Sequence, residues 1–189
     1  MSYPAQYRKD LIETLEAMDT STVDRIIAVL TKARDEGRQV FVCGNGGSAA
    51  SASHFTCDMV KGASFQKDPA RRFRILALTD MMPTMTAYSN DVSYDAVFVE
   101  PLKNFARPGD VLIAISGSGN SPNVLRAMEY ASSIGCQTIA MTGRDGGQLG
   151  PMAQVNLQVS VPHMGRIEDA HMIACHMIAY HFMDAEGRA

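Results

Sequence analysis

The 189-residue sequence contains no tryptophan, only four cysteines, and no large excess of either charge. The cysteines are scattered without a CxxC pair, which predicts reduced, buried thiols rather than a disulfide framework. No apolar run approaches the roughly 18 residues that a membrane span requires. The first residues, MSYPAQYRKDLIETLEAM, lack the apolar region of a secretory signal. We therefore expect a cytoplasmic protein without a membrane partner.

The net charge is −3 and the pI is about 5.9, so the chain has no basic surplus for a nucleic acid. With 46% hydrophobic and 20% charged residues, the composition is that of a globular protein. The length favours one domain, and neither repeats nor a linker divide it. We predict a single domain over residues 1–189, in which residues 1–37 form N-terminal helices that pack on the core and on other subunits.

Apolar runs alternate with stretches of helical spacing along the rest of the chain. The runs are QVFVCG, FRILALTD, DVLIAIS, CQTIAMTG and VNLQVSVP. The stretches with helical spacing are 48–61, 94–105, 122–134, 147–153 and a long helix from 165 onward. Strands that are apolar on both faces and alternate with helices predict an α/β fold, a doubly wound five-stranded parallel sheet flanked by helices.

The glycine-rich segment GNGGS follows the first predicted strand, where such sheets bind ligands. A strand, a glycine-rich turn and a helix start together make an anion site from backbone N–H groups. The segment from Gly44 to Ala49 also fits the dinucleotide fingerprint G-x-G-x-x-G/A. That fingerprint requires an acidic residue about 20 positions on, and residue 64 is serine. A dinucleotide is therefore the weaker alternative.

The third predicted strand ends in SGSGNS, which opens a helix through Pro122. Three hydroxyls and several free backbone N–H groups make a nest for one compact phosphate. A single serine here would indicate only a helix cap on a solvent-facing turn. Because Ser116, Ser118 and Ser121 crowd one loop, we predict that they bind a phosphate group.

Titratable residues recur at helical spacing in two distant segments. His54 and Asp58 are four residues apart on one predicted helix, and the last helix carries Glu168, His171 and His176. A single histidine is more often a packed residue than a ligand. If the two helices meet, His54, Asp58, Glu168 and His176 form either a divalent-metal site or an acid/base pair.

These motifs together resemble the SIS (sugar isomerase) family, and the resemblance spans nearly the whole chain. The matching segments are CGNGGSAASASHF, SNDVSYDAVF, GDVLIAISGSGNSPNVLRA, TGRDGG and RIEDAHMIACH. Within that family the chain is most similar to enzymes of heptose phosphates. The resemblance implies a zinc-dependent aldose–ketose isomerase that interconverts sedoheptulose 7-phosphate and D-glycero-D-manno-heptose 7-phosphate for bacterial surface polysaccharides. It also implies a homotetramer with active sites at subunit interfaces.

The resemblance assigns roles to individual residues of this sequence. Metal ligands would be His54, Asp58 and His176, and catalytic residues would be Asp58 and His176. We further predict that Glu168 is a fourth metal ligand and shares the catalytic base role. Substrate contacts would come from Asn45, Gly46, Gly47, Ser48, Asn90, Asp91, Ser116, Gly117, Ser118 and Ser121, with the three serines on the phosphate.

Three positions depart from the family pattern. The family has Glu at the position of Asp58, Gln at the position of Glu168, and Thr at the position of Gly117. The missing methylene withdraws the Asp58 carboxylate by about 1–1.5 Å, and Glu168 restores an acid nearby. The alternatives are an isomerase of another phosphosugar, or a non-catalytic SIS-fold protein that binds phosphosugars or assists replication initiation. Retention of histidines and acids at the four positions favours an enzyme.

Overall fold

A five-stranded parallel sheet lies at the centre of the computed structural model, which describes residues 1–185. Every neighbouring pair is parallel, and the strand order is β2-β1-β3-β4-β5. The strands are β1 (Gln39–Gly44), β2 (Arg74–Ala77), β3 (Val111–Ser116), β4 (Gln137–Gly143) and β5 (Val155–Val159). The order reverses between β1 and β3, so a ligand crevice is expected where these two strands end. The predicted fold class is confirmed.

Helices cover both faces of the sheet. They are α1 (Tyr3–Glu16), α2 (Thr20–Asp35), α3 (Gly47–Cys57), α4 (Met82–Asp91), α5 (Val99–Phe105), α6 (Pro122–Ser133), α7 (Leu149–Met152) and α8 (Met164–Tyr180). Val40 and Val42 of β1 belong to one buried cluster with residues of α2, α3 and α8. Phe41 and Cys43 belong to a second cluster with residues of α5 and α6. Since neighbouring strand residues enter opposite layers, a continuous apolar run fits a strand that is covered on both faces.

Three predicted helices differ in extent from the observed ones. The helix predicted over 48–61 ends as α3 and passes into a π-helical turn, Asp58–Gly62. In that turn the Ala63 N–H donates to the Asp58 carbonyl at 2.9 Å. The segment 94–105 divides into a 3₁₀ turn, Tyr94–Ala96, and α5, while 147–153 contains only the four residues of α7.

Helix α4 was not predicted, and none of its residues is buried. Met81, Met85 and Tyr88 nevertheless form a short, partly buried apolar stripe on the second cluster, which the sequence analysis overlooked. The strand before this helix, β2, ends at Ala77, and a 3₁₀ turn over Leu78–Asp80 lies between β2 and α4. The apolar run FRILALTD therefore predicts a longer strand than the chain forms.

The two N-terminal helices pack differently. Ile26 and Leu30 of α2 are buried in the core, and α2 ends before Gly37, whose φ of +66° suits a residue just beyond a helix end. Helix α1 buries only Thr14. It is held on α8 by Tyr7, whose hydroxyl donates to Asp169 Oδ2 at 2.6 Å. That hydrogen bond raises the pKa of Tyr7 to about 12.

The cysteine prediction holds at three of four positions. Cys43, Cys136 and Cys175 are buried, and burial raises the pKa of the Cys43 and Cys175 thiols to about 12. Cys57 is exposed, which corrects the expectation of a buried structural thiol at that position. It stands at the end of α3, where the neighbouring Phe55 rather than Cys57 turns into the core.

Within residues 1–185, no helix combines the length and the apolar character that crossing a bilayer demands.

Candidate active site

A cavity of about 260 Å³ opens where β1 and β3 end. Its walls come from the loop after β1, the loop after β3 and the start of α8. It is lined by Asn45, Gly46, Gly47, Ser48, Ile115, Ser116, Gly117, Ser118, Ser121, Met164 and Glu168. The two loops that sequence reasoning singled out therefore face one space.

The first wall is the N-terminal turn of α3. Gly46 precedes the helix with φ +55° and ψ −122°, a conformation that side-chain-bearing residues rarely adopt. The first backbone N–H groups of a helix have no intrahelical acceptor and carry partial positive charge. The turn at Gly46, Gly47 and Ser48 is thus suited to an anion or a polar oxygen.

The second wall is the serine loop after β3. Ser116 Oγ lies 3.5 Å from Ser118 Oγ and 3.4 Å from Ser121 Oγ. These separations exceed the roughly 2.7–2.8 Å of a good hydroxyl pair, so the hydroxyls remain able to donate to a third group. Gly119 shapes the loop, because its φ is +65° and a Cβ there would collide with the Gly146 backbone.

Met164 and Ile115 also line the cavity, and sequence reasoning missed both. The Met164 sulfur lies against Gly117, where a Cβ would meet it at 2.6 Å. The thioether fills the space that a larger residue at position 117 would need. The signal that could have found Met164 was the glycine itself, since a glycine in a packed loop implies close approach of another group.

Glu168 reaches the cavity from α8. Its carboxylate lies against Gly47, so that any Cβ at Gly47 would collide with it. The carboxylate thus stands at the N-terminal end of α3, where the helix dipole attracts a negative charge.

His54, Asp58 and His176 form a compact group between α3 and α8. His54 Nε2 lies 3.0 Å from His176 Nε2 and 3.3 Å from Asp58 Oδ2, and the remaining side of the triangle is 3.7 Å. All three ligand atoms lie within 4.8 Å of one another, the arrangement expected of residues that share a metal ion. The two distant segments do meet, as the metal and acid/base hypotheses both require.

The chemistry of these donors fits a divalent cation. Asp58 Oδ2 is buried and has no hydrogen-bond partner among the described residues, a costly state for a carboxylate oxygen. Two Nε2 atoms at 3.0 Å can either share one proton in a hydrogen bond or direct both lone pairs to one cation. The His54 and His176 side chains are 50% and 42% exposed, so an ion has access.

Glu168 lies outside this group. It stands eight residues before His176 on α8, about 12 Å along the helix axis, and its carboxylate points to Gly47. To bind the same ion, the side chain would have to turn away from the cavity. Its role as a fourth ligand stays a prediction.

Asn90 and Asp91 are not part of the cavity wall. They end α4, are exposed, and bond to each other, Asn90 Nδ2 donating to Asp91 Oδ1 at 2.7 Å. Their predicted contact with substrate also stays a prediction. The residue from this region that does reach the loop after β1 is Tyr94, whose hydroxyl donates to Asn45 Oδ1 at 2.8 Å.

His171, the remaining histidine predicted on the last helix, is a packed residue. It is 1% exposed, and its Nε2–H donates to the Thr142 carbonyl at 3.0 Å, tying α8 to the end of β4. Burial lowers its pKa from 6.5 to about 4, and the bond to Thr142 opposes this shift only in part. The imidazole is therefore neutral at physiological pH.

The buried His171 predicts a pH-dependent stability. Between pH 6.5 and about 4 the unfolded chain binds a proton that the folded chain does not, so folding weakens as the pH falls. The contribution lost between pH 8 and pH 5 is about 2 kcal/mol. Urea unfolding at pH 8 and pH 5 measures the loss of folding stability between the two pH values. This loss should be about 2 kcal/mol smaller in His171→Gln than in the parent, because glutamine cannot titrate. Equal losses in the two proteins would contradict a neutral, buried imidazole.

The fold and cavity define a doubly wound α/β protein with a Gly/Ser-lined site at its switch point, and comparison with known proteins gives the family. The SIS domain model matches residues 5–143. The chain is 38% identical to the probable phosphoheptose isomerase of Thermoplasma volcanium, over 89% of this chain and 88% of that protein. It is also 38% identical to the phosphoheptose isomerase of Mycobacterium tuberculosis, over 90% and 89%. The solved structure of phosphoheptose isomerase from Neisseria gonorrhoeae superposes with a TM-score of 0.85 at 31% identity, over 94% of this chain and 95% of that one.

The chain belongs to the SIS domain family. The predicted family and the predicted isomerase activity are both confirmed by these relatives.

Proposed function

We propose that the protein interconverts sedoheptulose 7-phosphate and D-glycero-D-manno-heptose 7-phosphate in the cytoplasm, as an aldose–ketose isomerase. The relatives named above are phosphoheptose isomerases by name. The observation that carries the proposal is the cavity itself, in which a serine loop, a helix N-terminus and one carboxylate face the same space.

In this mechanism, Ser116, Ser118 and Ser121 bind the phosphate and fix the far end of the sugar. Isomerisation moves a proton between C1 and C2 through an enediolate, which requires a base beside these carbons. Glu168 is the carboxylate of the cavity wall, and we assign it the proton transfer at its carboxylate oxygens.

We assign His54, Asp58 and His176 to a zinc ion. Imidazole and carboxylate donors with an open position are typical of catalytic zinc sites. When bound, the ion would supply Lewis-acid polarisation of a substrate oxygen. Because Nε2 of His176 cannot both bind an ion and carry a proton, a proton-transfer role of His176 requires its other nitrogen, Nδ1.

Proton exchange tests the function directly. The protein is incubated with sedoheptulose 7-phosphate in heavy water, and NMR follows the aldose product and deuterium at the exchanging carbon. Aldose formation with deuterium incorporation is expected. If a panel of C5 to C7 ketose phosphates binds without exchange, the chain is a binding protein of the SIS fold instead. Turnover of another sugar in the panel would keep the isomerase and replace the substrate.

The phosphate assignment predicts that Ser118→Ala weakens substrate binding by about tenfold or more, since a hydrogen bond to a charged group is worth roughly 1.5–3 kcal/mol. Calorimetry with the phosphosugar measures the change. Ser132→Ala, on the exposed side of α6, is the matched control and should bind as the parent does. Unchanged affinity in Ser118→Ala would remove the loop from the phosphate site.

We also propose a homotetramer with active sites at subunit interfaces. Helix α4 buries no residue of its own, and Val60, Phe65, Met177 and Tyr180 are exposed on and beside the segments that carry the metal ligands. Apolar surface of this kind is suited to cover by another subunit. Light scattering at micromolar concentration should return four times the chain mass of 20.5 kDa. A stable monomer would contradict an active site shared between chains.

A further inference from the structure

Asn45, in the wall of the cavity, is held by a hydrogen-bond network that sequence reasoning did not find. Its Nδ2 donates to Asn123 Oδ1 at 2.8 Å, and Asn123 Nδ2 donates back to Asn45 Oδ1 at 3.0 Å. Tyr94 donates its hydroxyl proton to the same Asn45 oxygen at 2.8 Å. Asn123, in the first turn of α6, is 1% exposed and does not line the cavity.

A backbone group fixes the polarity of this network. Two facing amides can in principle exchange both their oxygens and their nitrogens and bond equally well. The Val124 N–H donates to the Ser121 carbonyl at 3.0 Å and also lies 3.0 Å from Asn123 Oδ1. Because a backbone N–H can only donate, the oxygen and not the NH₂ group of Asn123 is the favourable neighbour. The other terminal atom of Asn123 is then the nitrogen, which obliges Asn45 to present its own oxygen to Asn123 Nδ2.

The consequence is that Asn45 has one kind of group left for a ligand. Its oxygen already accepts from Asn123 and Tyr94, which uses both lone pairs. One of its two N–H groups is bound to Asn123, and the other is free of partners among the described residues. Because Asn45 lines the cavity, its remaining N–H is the one side-chain group it can offer to a ligand there, and its acceptor oxygen is closed to substrate.

We propose that Asn123 is a positioning residue for the isomerase: it fixes the Asn45 amide as a pure donor toward a substrate oxygen. The role rests on the proposed function, since it supposes that a sugar oxygen occupies the cavity beside Asn45. A fixed donor is suited to an oxygen that gains negative charge as the enediolate forms, because it needs no reorientation during the reaction. A freely rotating amide would present its oxygen to that charge part of the time.

A double-mutant cycle tests whether Asn123 acts through Asn45. Asn123→Ala should lower kcat/KM by about 10- to 100-fold, the size of effect that a misplaced contact produces. In an Asn45→Ala background the same change should cost less than about twofold, because the group that Asn123 orients is already gone. Independent losses that multiply in the double variant would overturn the proposal.

Inorganic phosphate supplies a readout that separates positioning from support of the loop. Asn123 follows Ser121 closely in sequence, so a purely structural role would disturb the serine loop. We expect Asn123→Ala to bind inorganic phosphate within about twofold of the parent, because the network touches none of the three hydroxyls. A tenfold loss of phosphate affinity would assign Asn123 to the loop and overturn the proposal.

Tyr94→Phe is the second variant, since it changes one exposed hydroxyl and leaves the core intact. It frees one lone pair of Asn45 Oδ1, and we expect a fall in kcat/KM of about two- to tenfold. Tyr130→Phe, on α6 outside the cavity wall, is the control and should not change the rate. Equal rates for Tyr94→Phe and its control would contradict the network.

The dissociation constant for sedoheptulose 7-phosphate is also measured for the four proteins of the Asn45/Asn123 double-mutant cycle. A parent chain that binds this sugar without turnover disproves the proposed function, and coupling between positions 45 and 123 in binding then still supports the donor role. A parent that turns over while the two variants act independently disproves the positioning role alone.

Discussion

His176→Ala is expected to abolish turnover and to remove the metal, while far-UV circular dichroism stays that of the parent. The side chain contributes one corner of the triangle with His54 and Asp58, at 3.0 and 3.7 Å. Loss of even an outer-shell partner of a metal ligand costs about 10- to 100-fold in affinity, so loss of a ligand should weaken zinc binding at least a hundredfold. Its ring is 42% exposed, and the truncation leaves no large cavity.

Metal content by atomic emission and turnover of the phosphosugar are measured on the same sample. His181→Ala is the matched control, since it removes an imidazole from the segment that follows α8 without touching the three ligands. A His176→Ala protein that keeps its zinc would show that the ion lies elsewhere. One that loses zinc but keeps its rate would separate the metal from catalysis.

Glu168→Gln is expected to lower kcat at least about a hundredfold while zinc content stays unchanged. General-base groups contribute roughly 10²- to 10⁴-fold, and the amide has the shape of the carboxylate but cannot accept a proton. The carboxylate faces Gly47 and the cavity, while the three metal ligands come from other residues. The change also restores the amide that the family resemblance implies at this position.

The zinc content and the activity of Glu168→Gln together distinguish three cases: Glu168 as base, as fourth metal ligand, or as neither. Zinc lost together with activity would make Glu168 a fourth ligand, as the sequence analysis predicts. Full activity with full zinc would exclude it as base and as ligand. Glu129→Gln, an exposed residue of α6, controls for the change of net charge. Gly47→Ala gives an independent check, because the added methyl displaces the Glu168 carboxylate without altering its charge.

The sheet and the loops of the site could be predicted because each depends on short-range pattern. Runs such as QVFVCG and DVLIAIS contain four or five successive apolar residues, a pattern and length typical of a strand covered on both faces. The same pattern located the loops, since parallel strands all end at one edge. Helix α4 was missed because its apolar stripe of Met81, Met85 and Tyr88 is short and only partly buried.

The contacts within the site depend on side-chain direction, which sequence spacing does not specify. Glu168 and His176 stand on one helix, yet one faces Gly47 and the other faces His54. The pairing of Asn45 with Asn123 joins residues 78 positions apart through two amides, and no local pattern records it. The π-helical turn at Asp58 likewise follows from packing, including that of Met183 against Gly62.

The His54–Asp58–His176 triangle has a consequence for the unfolding of the chain. An ion held there links positions 122 residues apart, so it closes a loop that includes four of the five strands in full. An ion that binds only the folded chain, where the two ends of this long loop meet, favours folding by mass action. At a hundred times its dissociation constant, the ion adds about 2.7 kcal/mol to the free energy of unfolding. The site would then act as a removable cross-link, and a chelator would lower the melting temperature as well as the rate.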